Sequence, residues 1–217
     1  RLFLEATQPK IAEELDLAND SHRRRTFLAR LQGVIAKEGV IHVLRKGLDD
    51  GPLHIDLYYP TPSLGNKTAQ KQYADNRFSV TRQLHFSTDN TKLSLDLCLF
   101  LNGLPIATFE LKNSLTKQTV EDAVEQYKRD RDPKELLFQF GRCVVHFAVD
   151  DAQVKFCTEL KGKASWFLPF DQGHDDGAGN PPNPQGLKTD YLWKRVLTPL
   201  SLSNILENYA QVVEFKD

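Results

Sequence analysis

The chain has 217 residues, of which 40% are hydrophobic and 26% are charged, and its formal net charge is −1. These proportions exclude a disordered chain, a collagen-like repeat and a coiled coil, and they are typical of globular domains. No stretch approaches the roughly 20 apolar residues of a membrane-spanning helix, so we expect no membrane partner. The near-zero charge excludes a basic footprint over the whole chain, so any contact with DNA must be local.

The first third of the chain is predicted to be mostly helical. Apolar residues recur at helical spacing over residues 10–38, and Gly39 is a helix stop signal. Residues 40–44 and 54–59 are rich in β-branched or aromatic residues and predict strands around an Asp49-Asp50-Gly51 turn. Residues 60–76 are polar and predict a loop with one short helix.

Strands are predicted in the centre of the chain at residues 78–86, 93–101 and 104–111. Asn102 and Gly103, between the last two, form a strong hairpin signal. The elements that follow are, in order, a helix at 119–132, strands at 143–149 and 154–160, an irregular segment at 171–188, and a helical region at 191–213 with a break near Pro199. This alternation predicts an α/β fold with a mixed central β-sheet flanked by helices.

Three cysteines lie singly within apolar runs, at Cys98, Cys143 and Cys157. Their odd number and the absence of CxxC spacing argue against a disulfide framework and a zinc site, so we expect buried free thiols in a reducing compartment. The chain begins at Arg1 and contains no methionine. We therefore expect it to be a fragment of a longer protein.

A metal-dependent phosphodiesterase needs two carboxylates that converge on one hard cation, with a lysine beside the attacking water. Four acid-x-Lys triplets occur, at Glu110/Lys112, Asp132/Lys134, Glu159/Lys161 and Glu214/Lys216. Pro133 interrupts the second triplet, and Glu214 has no acidic partner on a nearby predicted strand. Glu159 is separated from the nearest upstream acids by roughly 27–30 Å of extended strand. Only Glu110 has a carboxylate within reach, that of Asp96 at the open end of the same hairpin.

Whether Asp96 and Glu110 share a face depends on the hairpin loop. A two-residue Asn102-Gly103 loop would put them on opposite faces of the sheet. A three-residue loop would pair Asp96 with Thr108 and put both carboxylates and Lys112 on one face, which separates polar from apolar residues. We therefore predict the three-residue loop, and a β-bulge is the other way to restore this parity.

The same residues are compatible with an ordinary exposed strand face. Glu110 and Lys112 would then be solvated, with Asp96 as their cross-strand ion-pair partner. Against this, Asp96 lies in a stretch that is otherwise almost entirely apolar. A carboxylate in such a stretch needs a specific partner.

Asp96, thirteen intervening residues and Glu110-x-Lys112 resemble the core motif of the PD-(D/E)xK nucleases. Longer stretches resemble the N-terminal endonuclease region of the R subunit of type I restriction enzymes. They are NRFSVTRQLHF, LNGLPIATFELKN, TVEDAVEQYKRDRDP, VVHFAVD and FLPFDQGHDDGAGNPPNPQG followed by YLW. This resemblance extends from about Arg1 to Val213.

The resemblance implies a restriction-endonuclease-like core and Mg²⁺-dependent cleavage of double-stranded DNA. Asp96, Glu110 and the backbone carbonyl of Leu111 would bind Mg²⁺, and Lys112 would position or activate the attacking water. The family also carries a glutamine on the following helix, in a Gln-x-x-x-Tyr arrangement. Gln126 matches this glutamine, whereas the tyrosine position is occupied by Asp130.

The end of the same helix is basic, and its candidates for contact with the DNA backbone are Lys128, Arg129 and Arg131. Lys117 and Arg82 are weaker candidates of the same kind. An ordinary solvated helix end, whose positive charges suit the helix dipole, explains this pattern equally well.

The resemblance also implies partners outside this chain: the methyltransferase (M) and specificity (S) subunits and the protein's own C-terminal translocase domains, in the cytoplasm of a bacterium or archaeon. Gly162-Lys163 lacks the spacing of a phosphate-binding loop, so ATP is expected only in the full-length protein. We assign residues 1–170 to the endonuclease domain, with a core at about 76–160, and 171–217 to a loop and helical connection towards the motor. Two alternatives stay open, a non-catalytic docking module and another PD-(D/E)xK nuclease of the repair type.

Overall fold

A computed structural model describes residues 1–213, so Glu214 and Lys216 of the fourth triplet lie outside the described residues. The helices of this region are α1 (Leu2–Thr7), α2 (Pro9–Glu14), α3 (His22–Glu38), α4 (Val40–Lys46), α5 (Lys67–Ala74), α6 (Val120–Asp130) and α7 (Pro199–Asn204). Short 3-10 turns lie at Ser114–Thr116 and Leu136–Phe138, and wider π-helical segments at Leu192–Val196 and Ile205–Tyr209. The strands are β1 (Leu48–Asp50), β2 (Leu53–Ile55), β3 (Phe78–His85), β4 (Ser94–Leu101), β5 (Leu104–Leu111), β6 (Val145–Val149), β7 (Val154–Cys157) and β8 (Leu168–Pro169).

Strands β3 to β8 form one six-stranded sheet in sequence order, and β1 pairs with β2 in a separate small hairpin. All neighbours in the large sheet are antiparallel except β5 and β6, which are parallel. A parallel pair needs a crossover, and α6 supplies it. The predicted α/β fold with a mixed sheet and flanking helices is confirmed. Within residues 1–213, no helix is long and apolar enough to cross a lipid bilayer.

The sheet is covered on both faces. One face, which includes Phe109, packs against α3, α4 and the C-terminal helical segments in the larger hydrophobic core. The other face, which includes Cys98, packs against Val124 and Tyr127 of α6 in a second core. Strand side chains on this second face therefore lie in the space between the sheet and α6.

Most of the predicted elements are present, with one clear exception. Residues 40–44 are helical in α4, not a strand, and that prediction was wrong. Val40, Val43 and Leu44 are all buried and are spaced at i, i+3 and i+4, so a helix buries them together although the two valines favour a strand. The predicted strand at 54–59 is also reduced to the short β2.

Candidate active site

The hairpin between β4 and β5 closes on a two-residue turn, so the predicted three-residue loop was wrong. Leu101 pairs with Leu104, and the intervening Asn102 and Gly103 have φ angles of 53° and 87°. Two successive positive φ angles define a type I′ turn, which Asn-Gly adopts with little strain. The Asn102 carboxamide also accepts a hydrogen bond from the backbone N–H of Arg77 at 2.7 Å, which holds the turn in place.

A β-bulge puts Asp96 and Glu110 on the same face of the sheet, which the two-residue turn alone would not do. The register between β4 and β5 shifts midway along the strands, where Ile106 is the extra residue. One inserted residue moves the rest of its strand to the opposite face. Leu97 then pairs with Phe109, so Asp96 lies opposite Glu110. The predicted loop would have placed Asp96 opposite Thr108. The alternative named from the sequence, a bulge, is what the structure uses.

Asp96 is fixed by hydrogen bonds from both sides. Its Oδ2 accepts from the backbone N–H of Leu111 at 2.8 Å, and its Oδ1 accepts from Gln83 Nε2 at 3.3 Å. Gln83 lies on β3 with a φ of 49°, and its Oε1 accepts from the Ser94 hydroxyl at 3.1 Å. Nothing in the sequence indicated a role for Gln83 beyond its place in a polar strand.

Glu110 is fully buried, with 0% of its surface exposed, so it does not belong to a solvated strand face. Arg131 Nε donates a hydrogen bond to Oε1 of Glu110 at 2.6 Å, and Arg131 Nη2 forms an ion pair with the same oxygen at 2.6 Å. Burial, opposed by Arg131 and assisted by the neighbouring Asp96 carboxylate, raises the pKa of Glu110 to about 7. Within residues 1–213, Oε2 of Glu110 has no hydrogen-bond partner.

Lys112 and Gln126 are in direct contact, with Lys112 Nζ donating to Gln126 Oε1 at 2.5 Å. The start of α6 is fixed by two carboxylates, since Asp122 accepts from the backbone N–H of Thr119 and Asp150 from that of Val120, both at 2.7 Å. The structure thus brings together four predicted residues from three elements, namely Asp96, Glu110, Lys112 and Gln126.

The position of the family tyrosine, Asp130, is exposed. Tyr127, next to Gln126, is fully buried and lies 2.9 Å from the Thr108 hydroxyl. Thr108 Oγ1 also lies 2.7 Å from Nδ1 of the buried His146. Burial lowers the pKa of His146 to about 3, so this polar network beneath Glu110 contains a neutral imidazole at neutral pH.

The predicted DNA-contacting residues separate into two groups. Lys128 and Arg129 are at least partly exposed at the end of α6, 3.7 and 3.9 Å from Glu125, and their contact with DNA stays a prediction. Arg131 is only 4% exposed, because its guanidinium is turned inwards onto Glu110. The prediction that Arg131 contacts the DNA backbone was therefore wrong.

The donor set suits a hard divalent cation. Asp96 and Glu110 supply carboxylate oxygens, which Mg²⁺ prefers, and Glu110 Oε2 is a buried oxygen in need of a partner. Across residues 1–213, no cluster of three or more His, Cys, Asp or Glu side chains could hold a metal. Any cation here would therefore depend on this pair, with backbone and water oxygens completing its shell. The Leu111 carbonyl stays a predicted ligand.

Comparison with known proteins gives one informative result. The family model described as type I restriction enzyme R protein N terminus matches residues 12–165, which is more than half of the chain and includes every residue of the candidate site. A comparison with curated proteins found no match.

Proposed function

Because the chain belongs to the family of type I restriction enzyme R protein N termini, we propose that it is a Mg²⁺-dependent endonuclease domain that hydrolyses phosphodiester bonds in double-stranded DNA. The observation that carries this proposal is the convergence of Asp96 and Glu110 across β4 and β5, with Lys112 directly after the end of β5. Neither acid has an ordinary surface role, since Glu110 is buried and Asp96 accepts a backbone hydrogen bond beside it.

The residues fit the charge requirements of the reaction. A phosphodiester is an anion that repels hydroxide, and bound Mg²⁺ would neutralise the phosphate and acidify water. Asp96 and Glu110 would hold the cation, and the half-buried Lys112 would add a positive charge where negative charge develops in the transition state. A partly buried ammonium acts more strongly than an exposed one because water screens it less.

Gln126 gives Lys112 a fixed position without neutralising it. Its Oε1 accepts a hydrogen bond from the ammonium at 2.5 Å, whereas a carboxylate at the same place would form an ion pair and cancel the charge. Lys112 therefore keeps two N–H donors for a water molecule or a phosphate oxygen. A fixed ammonium requires little reorganisation during the reaction, which is the main electrostatic advantage of a folded site.

We extend the proposal to the partners of the longer protein. The chain would act on DNA together with methyltransferase and specificity subunits, in the cytoplasm, with ATP used by translocase domains of the same polypeptide. Lys128 and Arg129 would contact the DNA backbone near the site. Few basic residues lie there, so binding by this chain alone should be weak and strongly salt-sensitive.

The proposal is tested with Asp96→Asn and Lys112→Met in the complete restriction enzyme, using plasmid cleavage with Mg²⁺ and ATP. We expect each variant to lose cleavage by on the order of 10²–10³-fold, with assembly and ATP hydrolysis unchanged. Lys134→Met is the matched control, because Lys134 is an exposed lysine of another acid-x-Lys triplet. Normal cleavage by both site variants would reject this nuclease site.

A further inference from the structure

We propose that Arg131 is a positioning residue that holds one oxygen of Glu110 and leaves the other for a cation shared with Asp96, so that the site takes one divalent ion. The proposal rests on the metal site of the proposed function and adds a residue and a stoichiometry to it. It also gives a role to an arginine that the sequence placed on the DNA-binding surface.

The contacts between Arg131 and Glu110 are asymmetric. Both Nε and Nη2 lie 2.6 Å from Oε1, whereas a fork-to-fork pair would use one nitrogen for each oxygen. The hydrogen bond from Nε and the ion-pair contact of Nη2 therefore both fall on Oε1. Oε2 is equally buried and has no partner among residues 1–213. The carboxylate is therefore divided into one satisfied oxygen and one available oxygen.

Arg131 is itself held rigidly at the end of α6. Its Nη2 donates to the Ser94 carbonyl at 3.0 Å, its Nη1 donates to the Asp130 carbonyl at 3.2 Å, and its guanidinium lies 5.3 Å from the centre of the Phe86 ring. Ser94 is two residues from Asp96 on β4. Arg131 thus contacts both the strand that carries Asp96 and the side chain of Glu110, and so it fixes the geometry of the two carboxylates.

The same contacts limit the number of ions. Two-metal sites hold their ions about 3.5–4 Å apart and share carboxylates between them. A second ion on Glu110 would have to use Oε1 and displace Arg131, and no cluster of three acidic, histidine or cysteine ligands exists in the described part of the chain. The guanidinium thus supplies a fixed positive charge where a second ion would need to bind.

The test is calorimetric titration of the chain with Mn²⁺ in the absence of DNA. Wild type should bind one ion. Arg131→Met should bind Mn²⁺ about 10-fold more weakly or worse, the usual consequence of losing a partner that orients a metal ligand. Removal of a nearby positive charge would by itself tighten cation binding, so the two effects have opposite signs. Lys134→Met, which removes an exposed charge three residues away, should bind like wild type.

A second variant and a double variant complete the test. Arg131→Lys keeps the charge but lacks the fork of donors, so it should also bind more weakly, and it decides the result if Arg131→Met does not fold by circular dichroism. In a Glu110→Gln background, Arg131→Met should cause little further change, because the effect passes through Glu110.

The proposal is overturned by two ions in wild type, by no Mn²⁺ binding in wild type, or by equal or tighter binding in the folded Arg131 variants. Since the assay contains no DNA, its outcome is separate from that of the proposed function. A chain that binds one Mn²⁺ but supports no DNA cleavage in the complete enzyme would reject the nuclease assignment and keep the role of Arg131.

Discussion

Lys112 Nζ lies 2.5 Å from Gln126 Oε1, so the lysine that directly follows β5 is held by a neutral acceptor on α6. We predict that Gln126→Ala lowers DNA cleavage by about 10- to 100-fold, because an ammonium that loses its fixed position stabilises the transition state less well. DNA binding and the unfolding temperature should change little. Glu125→Gln, the exposed neighbour on α6, is the control; an equal loss there would show that the helix surface matters instead of the Lys112 contact.

Deletion of Ile106 should preserve the site, because Ile106 is the unpaired residue of the bulge. Without it, Phe100–Pro105 and Leu99–Ala107 become consecutive pairs, and Asp96 stays opposite Glu110. Insertion of one alanine between Ala107 and Thr108 should instead move Glu110 and Lys112 to the face opposite Asp96, so we expect no detectable DNA cleavage by the insertion variant. Ile106 is also buried, and the control Ile106→Ala should cost about 2–5 kcal/mol of unfolding free energy but keep the activity of the folded protein. Normal cleavage by the insertion variant would mean that the shared face does not define the site.

His146 should make the protein less stable in acid. Its pKa falls from 6.5 to about 3 on burial, so below pH 6.5 the unfolded chain binds a proton that the folded chain does not. This residue alone should lower the unfolding free energy by about 1.4 kcal/mol for each pH unit in that range. Denaturant titrations of wild type and His146→Gln between pH 6 and 4 measure the difference in slope. Parallel slopes would show that His146 is protonated in the folded protein.

Mg²⁺ should stabilise the folded chain, and its removal by chelation should reverse the effect. At a hundredfold excess of Mg²⁺ over its dissociation constant, the unfolding free energy should rise by about 2.7 kcal/mol. Asp96→Asn should remove most of this gain, whereas Asp132→Asn, which changes an exposed acid, should keep it. Equal stabilisation of both variants would place the ion elsewhere.

The strands of the sheet were predicted from the sequence, but the way in which Asp96 and Glu110 meet was not. Alternation and the Asn102-Gly103 signal predicted β4 and β5 almost to the residue, because these strands depend on local patterns. The bulge at Ile106 could not be predicted from the sequence, because nothing distinguishes this unpaired residue from the other apolar residues of the strand. The predicted turn was wrong because we placed the extra residue that brings Asp96 and Glu110 to one face in the loop. In the structure that residue is Ile106, within β5.

Arg131 illustrates a second limit. Three basic residues at the end of α6 look alike in the sequence, and only packing distinguishes the exposed Arg129 from the buried Arg131. A burial pattern with helical periodicity would have placed Tyr127 and Arg131, four residues apart, on the same inner side of the helix. A buried arginine then requires a buried acid, and Glu110 is the acid on the facing strand.

The metal site formed by Asp96 and Glu110 is tested most simply in a crystal of the chain soaked in Mn²⁺ and measured for anomalous scattering. We expect one anomalous peak at about 2.1 Å, the distance typical of a hard divalent ion of this kind, from an oxygen of Asp96 and from Oε2 of Glu110, with Arg131 still on Oε1. A peak at another site, or none between these two carboxylates at saturating Mn²⁺, would contradict this expectation.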